Sequence, residues 1–501
     1  MSTSSLTAVS PTRRPLDRVI ALLRRVSIWQ WAFVLILAWY VWHFTNTTVR
    51  MHHGLGTSSY DFALYDQGMW LLSRFKAPFV TLMGRNLFGD HTSFIMLFLV
   101  PFYWVFPGPG TLLLFQSAAL AAGAIPVFLY ARRRLGSEPI ALLLAGSFLL
   151  HPAIGRTNVE QFHPDAFLPA LVGFAIYFAL NARWVPYAVF VLLSLLVKED
   201  VALVIIPLGL WVALRRDRRI GFLTIAGAIL YALFAMGVVI RLLNGEWAPN
   251  AWRIPFGGVG GLIAAMFTRP GEVISYLVSD GRPWYLLQVA FSFGFVFLLA
   301  PALAAISSVV LGANVISVFP YQYEIRYHYT AVTLPALGLA SVEALGRIPR
   351  EWRTSLAATV VAFSLLGAYW WGTFPFSIDP KTYWSPSDAI AQEAAAMFPL
   401  IPDDAVISVY HNMSPHLAHR EHIYMFPNPF STLLYGDAAT RDDEGRRLPI
   451  ADEVEYVLLP PALLAREGLA VWQEVQGDFE IVAQSTSWEL WRRNSQAASR
   501  K

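Results

Sequence analysis

The sequence predicts an α-helical polytopic membrane protein, with about eleven transmembrane helices followed by a small extramembrane α/β domain. Three observations predict it. The chain of 501 residues is 56% hydrophobic and only 14% charged, with a mean hydropathy of +0.47; a soluble chain carries roughly a quarter charged residues. Apolar runs of spanning length recur from Ile28 to Trp371. From about Thr373 the charged fraction rises and the apolar stretches shrink to strand length.

Residues 1–27 read as a cytoplasmic tail, basic at Arg13, Arg14, Arg18, Arg24 and Arg25. No small-residue cleavage site follows the first apolar run, which makes it an uncleaved helix rather than a signal peptide. The candidate spans are 28–45, 111–131, 138–152, 166–181, 184–198, 200–214, 220–243, 284–299, 301–318, 330–346 and 354–371. Together they make 28–371 one transmembrane domain. Arginines cluster on alternate connections: Arg132, Arg133 and Arg134; Arg183; Arg215, Arg216, Arg218 and Arg219; Arg347, Arg350 and Arg353. Such clusters stay inside, so the N-terminus is expected in the cytoplasm and residues 372–501 outside a plasma membrane. The uncharged connection near Ala300 reads as a tight hairpin.

Residues 92–106 are apolar but are stopped by Pro107-Gly108-Pro109-Gly110, short of a span. They read as a helix in the outer interface, inside a first external loop of about 46–110. In the terminal domain, Pro386–Phe398 reads as a helix with Ser385 as N-cap, and a second helix lies near Pro461–Val475. Strands are expected over Ala405–Tyr410, Ile423–Phe426, Glu455–Leu459, Phe479–Ala483 and Glu489–Trp491.

Composition narrows the chemistry. A net charge of +3 gives no footing for a nucleic acid partner, and the absence of cysteine excludes disulfides, thiolate metal sites and cysteine nucleophiles. The partner that the hydropathy demands is the lipid bilayer.

Ionisable groups at membrane depth are expensive, so each is a candidate for function. Here they fall at the outer ends of the spans. The first loop carries Asp61, Asp66, Gln67, Asp90 and His91; the loop after the third span carries Glu160, His163 and Asp165. Lys198, Glu199 and Asp200 interrupt an otherwise continuous apolar stretch, and Glu324, Arg326, His328 and Tyr329 precede the tenth span. Four distant segments thus converge on one membrane surface.

Each group has two readings. Asp61 and Asp66, set among aromatics, are either desolvated bases or polar anchors of an interfacial helix. Lys198 either binds a phosphate oxygen or caps a loop. Arg326, among Tyr321, Tyr323, Tyr327 and Tyr329, either grips a phosphate or snorkels to headgroups. His91, His163 and His328 with Asp165 or Glu160 offer donors for a divalent metal, in no dense ligand motif. Gly257, Gly258, Gly260 and Gly261 read as a flexible loop, and His411, His416, His419 and His422 as a solvated surface.

Tyr60-Asp61, Asp66-Gln67, Trp70, Asp90-His91-Thr92-Ser93, Phe162-His163-Pro164, Lys198-Glu199-Asp200, His328-Tyr329, Pro415-His416-Leu417 and Arg420 occur in that order. This set resembles a prokaryotic membrane-protein family catalogued as domain of unknown function 2079, over about 60–430. That family is similar to the GT-C superfamily of polytopic glycosyltransferases, which use polyprenyl-phosphate sugars on the external face. The resemblance implies an inverting glycosyltransferase with a polyprenyl-phosphate-linked sugar as donor and a glycan, lipid or protein as acceptor. By the same resemblance, Asp61 is the base, with Asp66 as the other candidate, and Lys198 and Arg326 neutralise the departing phosphate. Asp66, His91, Glu160, His163 and Asp165 position the sugar or a metal. The plain Asp-x-Asp or Glu-x-Asp pair usual in that superfamily's first loop is missing. The alternatives are a transporter or lipid flippase, and a non-catalytic assembly protein. A transporter needs polar groups through the midplane and matched halves, neither of which is visible in the sequence.

Overall fold

A backbone in lipid must satisfy its own hydrogen bonds, which forces the apolar segments into helices. The structure, a computed structural model, describes residues 26–247, 250–436, 444–461 and 466–494; the basic N-terminal cluster lies outside them. Each expected span carries helix. Ile28–His53, Pro109–Leu135, Arg218–Asn244 and Arg350–Trp371 are long and apolar enough to cross a bilayer, and Glu138–Leu150 with Pro152–Val159 makes a fifth bent by 46°. The remaining segments are shorter, as in Trp184–Leu195 and Ala202–Arg215, or broken. The expected span 284–299 is a helix only over Arg282–Phe291, because Gly294 and Phe295 adopt positive φ of 57° and 60° before a 3-10 turn at Val296–Leu299. Eleven uniform helices is therefore a simplification.

Leu334–Arg347 is the central helix, with Ala336, Gly338, Ala340, Ser341, Ala344 and Gly346 all buried. Small residues let neighbouring backbones approach closely when no water drives association. The helices Ala202–Arg215 and Arg218–Phe234 form the tightest hairpin: a Cβ on Gly221 would sit 2.2 Å from the Ala213 nitrogen. At the periphery, Leu223 and Leu230 are 68% and 66% exposed, an apolar surface that fits lipid rather than water.

The two ends of the bundle differ. At one end, Glu343 takes hydrogen bonds from Tyr130 (2.7 Å), Arg134 (2.9 Å) and Arg347 (3.3 Å), near Arg215 and Arg216. The other end carries the first loop and the terminal sheet.

In that loop, β1 (Phe79–Val80) and β2 (Arg85–Asn86) form a small antiparallel pair. The terminal sheet contains β3 (Ile407–Val409), β4 (Ile423–Met425), β5 (Tyr456–Leu459), β6 (Phe479–Gln484) and β7 (Glu489–Arg493) in the order β4-β3-β5-β7-β6. The β3 pairings are parallel, and those of β7 with β5 and β6 are antiparallel. The helix expected from Pro386 begins later, at Ala389. Its preceding turn is closed instead by the Ser385 N–H donating to Asp388 Oδ2 (3.2 Å). The second helix is described over Arg466–Val475. Gly258–Thr268 is also helical, entered through Gly257 at φ +86°, so the expected glycine loop is ordered.

Replacing Gly221 with Val should push the hairpin helices apart and cost ~1–3 kcal/mol through overpacking. A lowered Tm of the detergent-solubilised protein checks this; an unchanged Tm would show that the contact carries no stability.

Candidate active site

The sheet-bearing end of the bundle holds a cavity of ≈640 Å³, lined by Asp61, Arg85, Asp90, His91, Glu160, His163, Asp165, Lys198, Arg253, His328 and Tyr329 among others. All four segments picked out by their charges contribute to it.

Asp61 has backbone angles of φ +72° and ψ −35°, inside the π-helical turn Ser59–Ala63. A non-glycine residue held there stores of order 1–3 kcal/mol of strain, which persists only when neighbours over-determine it. They do: Ser59 Oγ bonds the His411 carbonyl (2.9 Å) and Ser414 Oγ (2.8 Å), and the Ser58 N–H donates to Gln161 Oε1 (3.2 Å). The turn aims a carboxylate with 50% of its side chain exposed into the cavity, with Oδ1 3.5 Å from His163 Nε2.

Lys198 is only 5% exposed, with Nζ 3.9 Å from Asp165 and 3.8 Å from Asp200. These two carboxylates compensate the buried ammonium. Glu199 turns the other way. It accepts from Thr92 N (3.2 Å) and pairs with His91 Nδ1 (2.8 Å), fastening the first loop to the same turn. Asp90 is partly buried, which works upward on its pKa; Arg85 at 2.6 Å, with His91 and Lys198, brings it down to about 2.

His163 and His328 stack with ring centroids 3.7 Å apart. Glu160 Oε2 accepts from the His328 backbone (2.8 Å) and lies 3.4 Å from its Nδ1. Burial first, and then the charge of Asp61, raise the Glu160 pKa well above the usual carboxyl range. Burial, and then His163, lower that of His328, leaving a neutral imidazole. Each of Glu160, His163 and His328 offers a ligand atom within 4.8 Å of the other two. Both His163 nitrogens and His328 Nδ1 are buried without a hydrogen bond among the described residues, so the donor set fits a zinc-type cation. His91 is not part of that group, since Glu199 engages it.

Three expected site residues lie elsewhere. Asp66 is 1% exposed, accepts from the Tyr103 hydroxyl and pairs with His419 Nε2 at 3.3 Å, away from the cavity. Gln67 is consumed by Thr81 Oγ1 (2.8 Å) and the carbonyls of Arg420 and Glu421. Both join the first loop to the terminal domain, because the non-helical backbone at Tyr60 and Asp61 separates the direction of Asp61 from that of the helix Leu64–Ser73 that carries them. Arg326 is 58% exposed, pairs with Glu324, and opens onto a neighbouring cavity with Arg156 and Trp284. Of the terminal histidines expected on a solvated surface, His411 and His422 are exposed, with His411 also lining the cavity, while the part-buried His416 and His419 pack against His52 and Asp66.

Two functional positions escaped the sequence reading. Arg253 enters the cavity with its guanidinium carbon 4.5 Å from the Phe319 ring and 6.0 Å from Tyr329, and its Nε is buried without a partner among the described residues. Gln116 holds the Gln161–His163 turn by donating to the Gln161 carbonyl (2.5 Å) and accepting from His163 N (2.9 Å). A polar residue in the middle of an apolar span was the available signal for Gln116. Arg253 carried none, because it lies in a loop with other polar residues.

The cavity thus lies at one end of a helical membrane bundle and gathers carboxylates, imidazoles and the cations Lys198 and Arg253. The chain belongs to the family catalogued as domain of unknown function 2079, described as a predicted membrane protein, whose profile matches residues 51–486. No curated protein matches it. Its fold is similar to that of ArnT from Cupriavidus metallidurans, which agrees at the level of fold with the resemblance read from the sequence. The ArnT structure bound to undecaprenyl phosphate is 12% identical, with a TM-score of 0.53 over 93% of this chain and 99% of that one. The apo structure is 13% identical, with a TM-score of 0.55 over 93% and 98%.

Glu160 yields a pH prediction. Its folded pKa is raised, so its contribution to stability is fully present below the unfolded value of about 4.3 and is lost as pH rises through the folded value. Glu160→Gln should remove that loss, so its Tm should gain on wild type as pH rises from about 4. Parallel Tm–pH curves for the two proteins would contradict the assignment.

Proposed function

We propose that this protein is a membrane-embedded glycosyltransferase, moving a sugar from a polyprenyl-phosphate carrier to an acceptor hydroxyl by inverting displacement. The observation that carries the reading is the presence, in one cavity, of the strained, half-exposed Asp61, the buried Lys198 and the part-buried Arg253. The similarity to a fold seen with undecaprenyl phosphate supports a polyprenyl-phosphate ligand. The arginine distribution supports about eleven crossings, with the N-terminus in the cytoplasm and the cavity and terminal domain outside.

In this mechanism Asp61 accepts the proton of the acceptor hydroxyl as its oxygen attacks the anomeric carbon. The bond from that carbon to the phosphate oxygen breaks, and polyprenyl phosphate leaves. Lys198 and Arg253 face the charge that develops on the phosphate, so Arg253 takes the role first expected of Arg326. His91, held by Glu199, orients sugar hydroxyls. A divalent cation on Glu160, His163 and His328 would add positive charge at the same wall. Holding donor and acceptor together supplies much of the acceleration.

Purified protein given a panel of polyprenyl-phosphate sugars and acceptors should release or transfer sugar. Asp61→Asn should lower the rate ~10²–10⁴-fold with donor binding retained; an unchanged rate with normal expression would sink Asp61 as the base. Vesicle uptake of a donor without any sugar release would favour a transporter. Arg253→Ala should lower kcat/KM by ~10²-fold, while Arg326→Ala should stay within a few-fold of wild type. The reverse order would return the phosphate role to Arg326.

A further inference from the structure

Away from that cavity, where the first spanning helix meets the terminal domain, three histidines come together. His52 and His53 end the helix Ile28–His53, and His416 lies on the short helix Ser414–Leu417. One ligand atom from each lies within 4.8 Å of the other two. We infer that His52, His53 and His416 form a second metal site, for a zinc-type divalent transition ion, that clamps the terminal domain to the first helix.

The donors lie close together, and the stacked His52 and His416 rings have only to turn for their lone pairs to converge. His52 is 3% exposed, and its Nδ1 lies 2.9 Å from Thr57 Oγ1, which leaves Nε2 as the ligating nitrogen. Such a second hydrogen bond on the far ring nitrogen orients the imidazole and sets its tautomer. His416 is held between the rings of His52 (4.2 Å) and Phe398 (5.2 Å). Its Nε2 is buried without a hydrogen-bond partner among the described residues, a cost that a ligand would remove. His53 is exposed and can swing inward. That freedom matters because bonds of about 2.0–2.1 Å in a tetrahedron bring ligand atoms to about 3.4 Å from one another. The fourth position opens onto a cavity of ≈490 Å³, with room for water. An all-imidazole donor set suits zinc, copper or nickel and not magnesium or calcium.

The clamp has a route to the larger cavity. Ser414, two residues before His416, bonds Ser59 on the turn that carries Asp61. An ion bridging His416 to the first helix would hold that turn. The ion site itself stands on geometry independent of the proposed sugar transfer.

The full-length protein, stripped with chelator in detergent and then loaded with Zn(II) alone, should bind one equivalent more than His53→Ala. His416→Gln should lose the same equivalent, while His163→Ala, in the other candidate cluster, should keep it. Zn(II) should raise the wild-type Tm by more than it raises that of His53→Ala. Because His53 is exposed, its replacement leaves the fold intact, and a monodisperse elution profile checks this. Equal zinc content in wild type and His53→Ala, or loss of this equivalent in His163→Ala alone, would overturn the site.

Discussion

The Lys198 ammonium, 5% exposed, lies 3.9 Å from Asp165 and 3.8 Å from Asp200. A lone cation at a helix end inside a membrane protein costs several kcal/mol unless it is paired. Pairing ties the turn after the helix Trp184–Leu195 to the 3-10 turn Pro164–Phe167. Glu199, adjacent in sequence, binds His91 and Thr92 and pulls in the first loop. The Ile95 N–H bonds the Leu196 carbonyl at 2.9 Å, continuing the same seam. A three-residue break in apolar sequence therefore sets two walls of the cavity.

The opposite wall depends on the terminal domain. Asp61 is held at positive φ by contacts to Gln161 and to the segment His411–Ser414. Thr81, Met83 and Arg85 of the first loop also bond the terminal domain, at Ile423 and Gly436. First loop and terminal domain thus form one lid-like layer over the bundle, and His411 reaches the cavity from it. The extramembrane domain is part of the site's architecture rather than an appendage.

The expected strands fall within two residues of those observed: Ile423–Phe426 was expected and Ile423–Met425 is found. Short apolar runs rich in β-branched residues between turn signals are local features, so such elements are readable. Helix continuity was less so. The segment 284–299 is mostly apolar, with Gln288 and Ser292 its polar residues, and its hydropathy does not mark the positive-φ break at Gly294 and Phe295. Asp61 and Asp66 looked equivalent, five residues apart and both among aromatics. A local backbone excursion sends one into the cavity and the other toward Tyr103 and His419.

The sequence by itself determined the class of protein and the gathering of acids, bases and cations at one end of the bundle. Both follow from the cost of placing charge in hydrocarbon, which acts on every residue regardless of its partners. Only the tertiary structure decided which of those charges share a cavity. It joined Asp61, Glu160, His163, Asp165, Lys198 and His328, turned Asp66, Gln67 and Arg326 elsewhere, and brought in Arg253. The reason is physical. Side-chain direction depends on the backbone of the turn and on partners far away in sequence, 355 residues in the case of Ser59 and Ser414. No local pattern records those contacts.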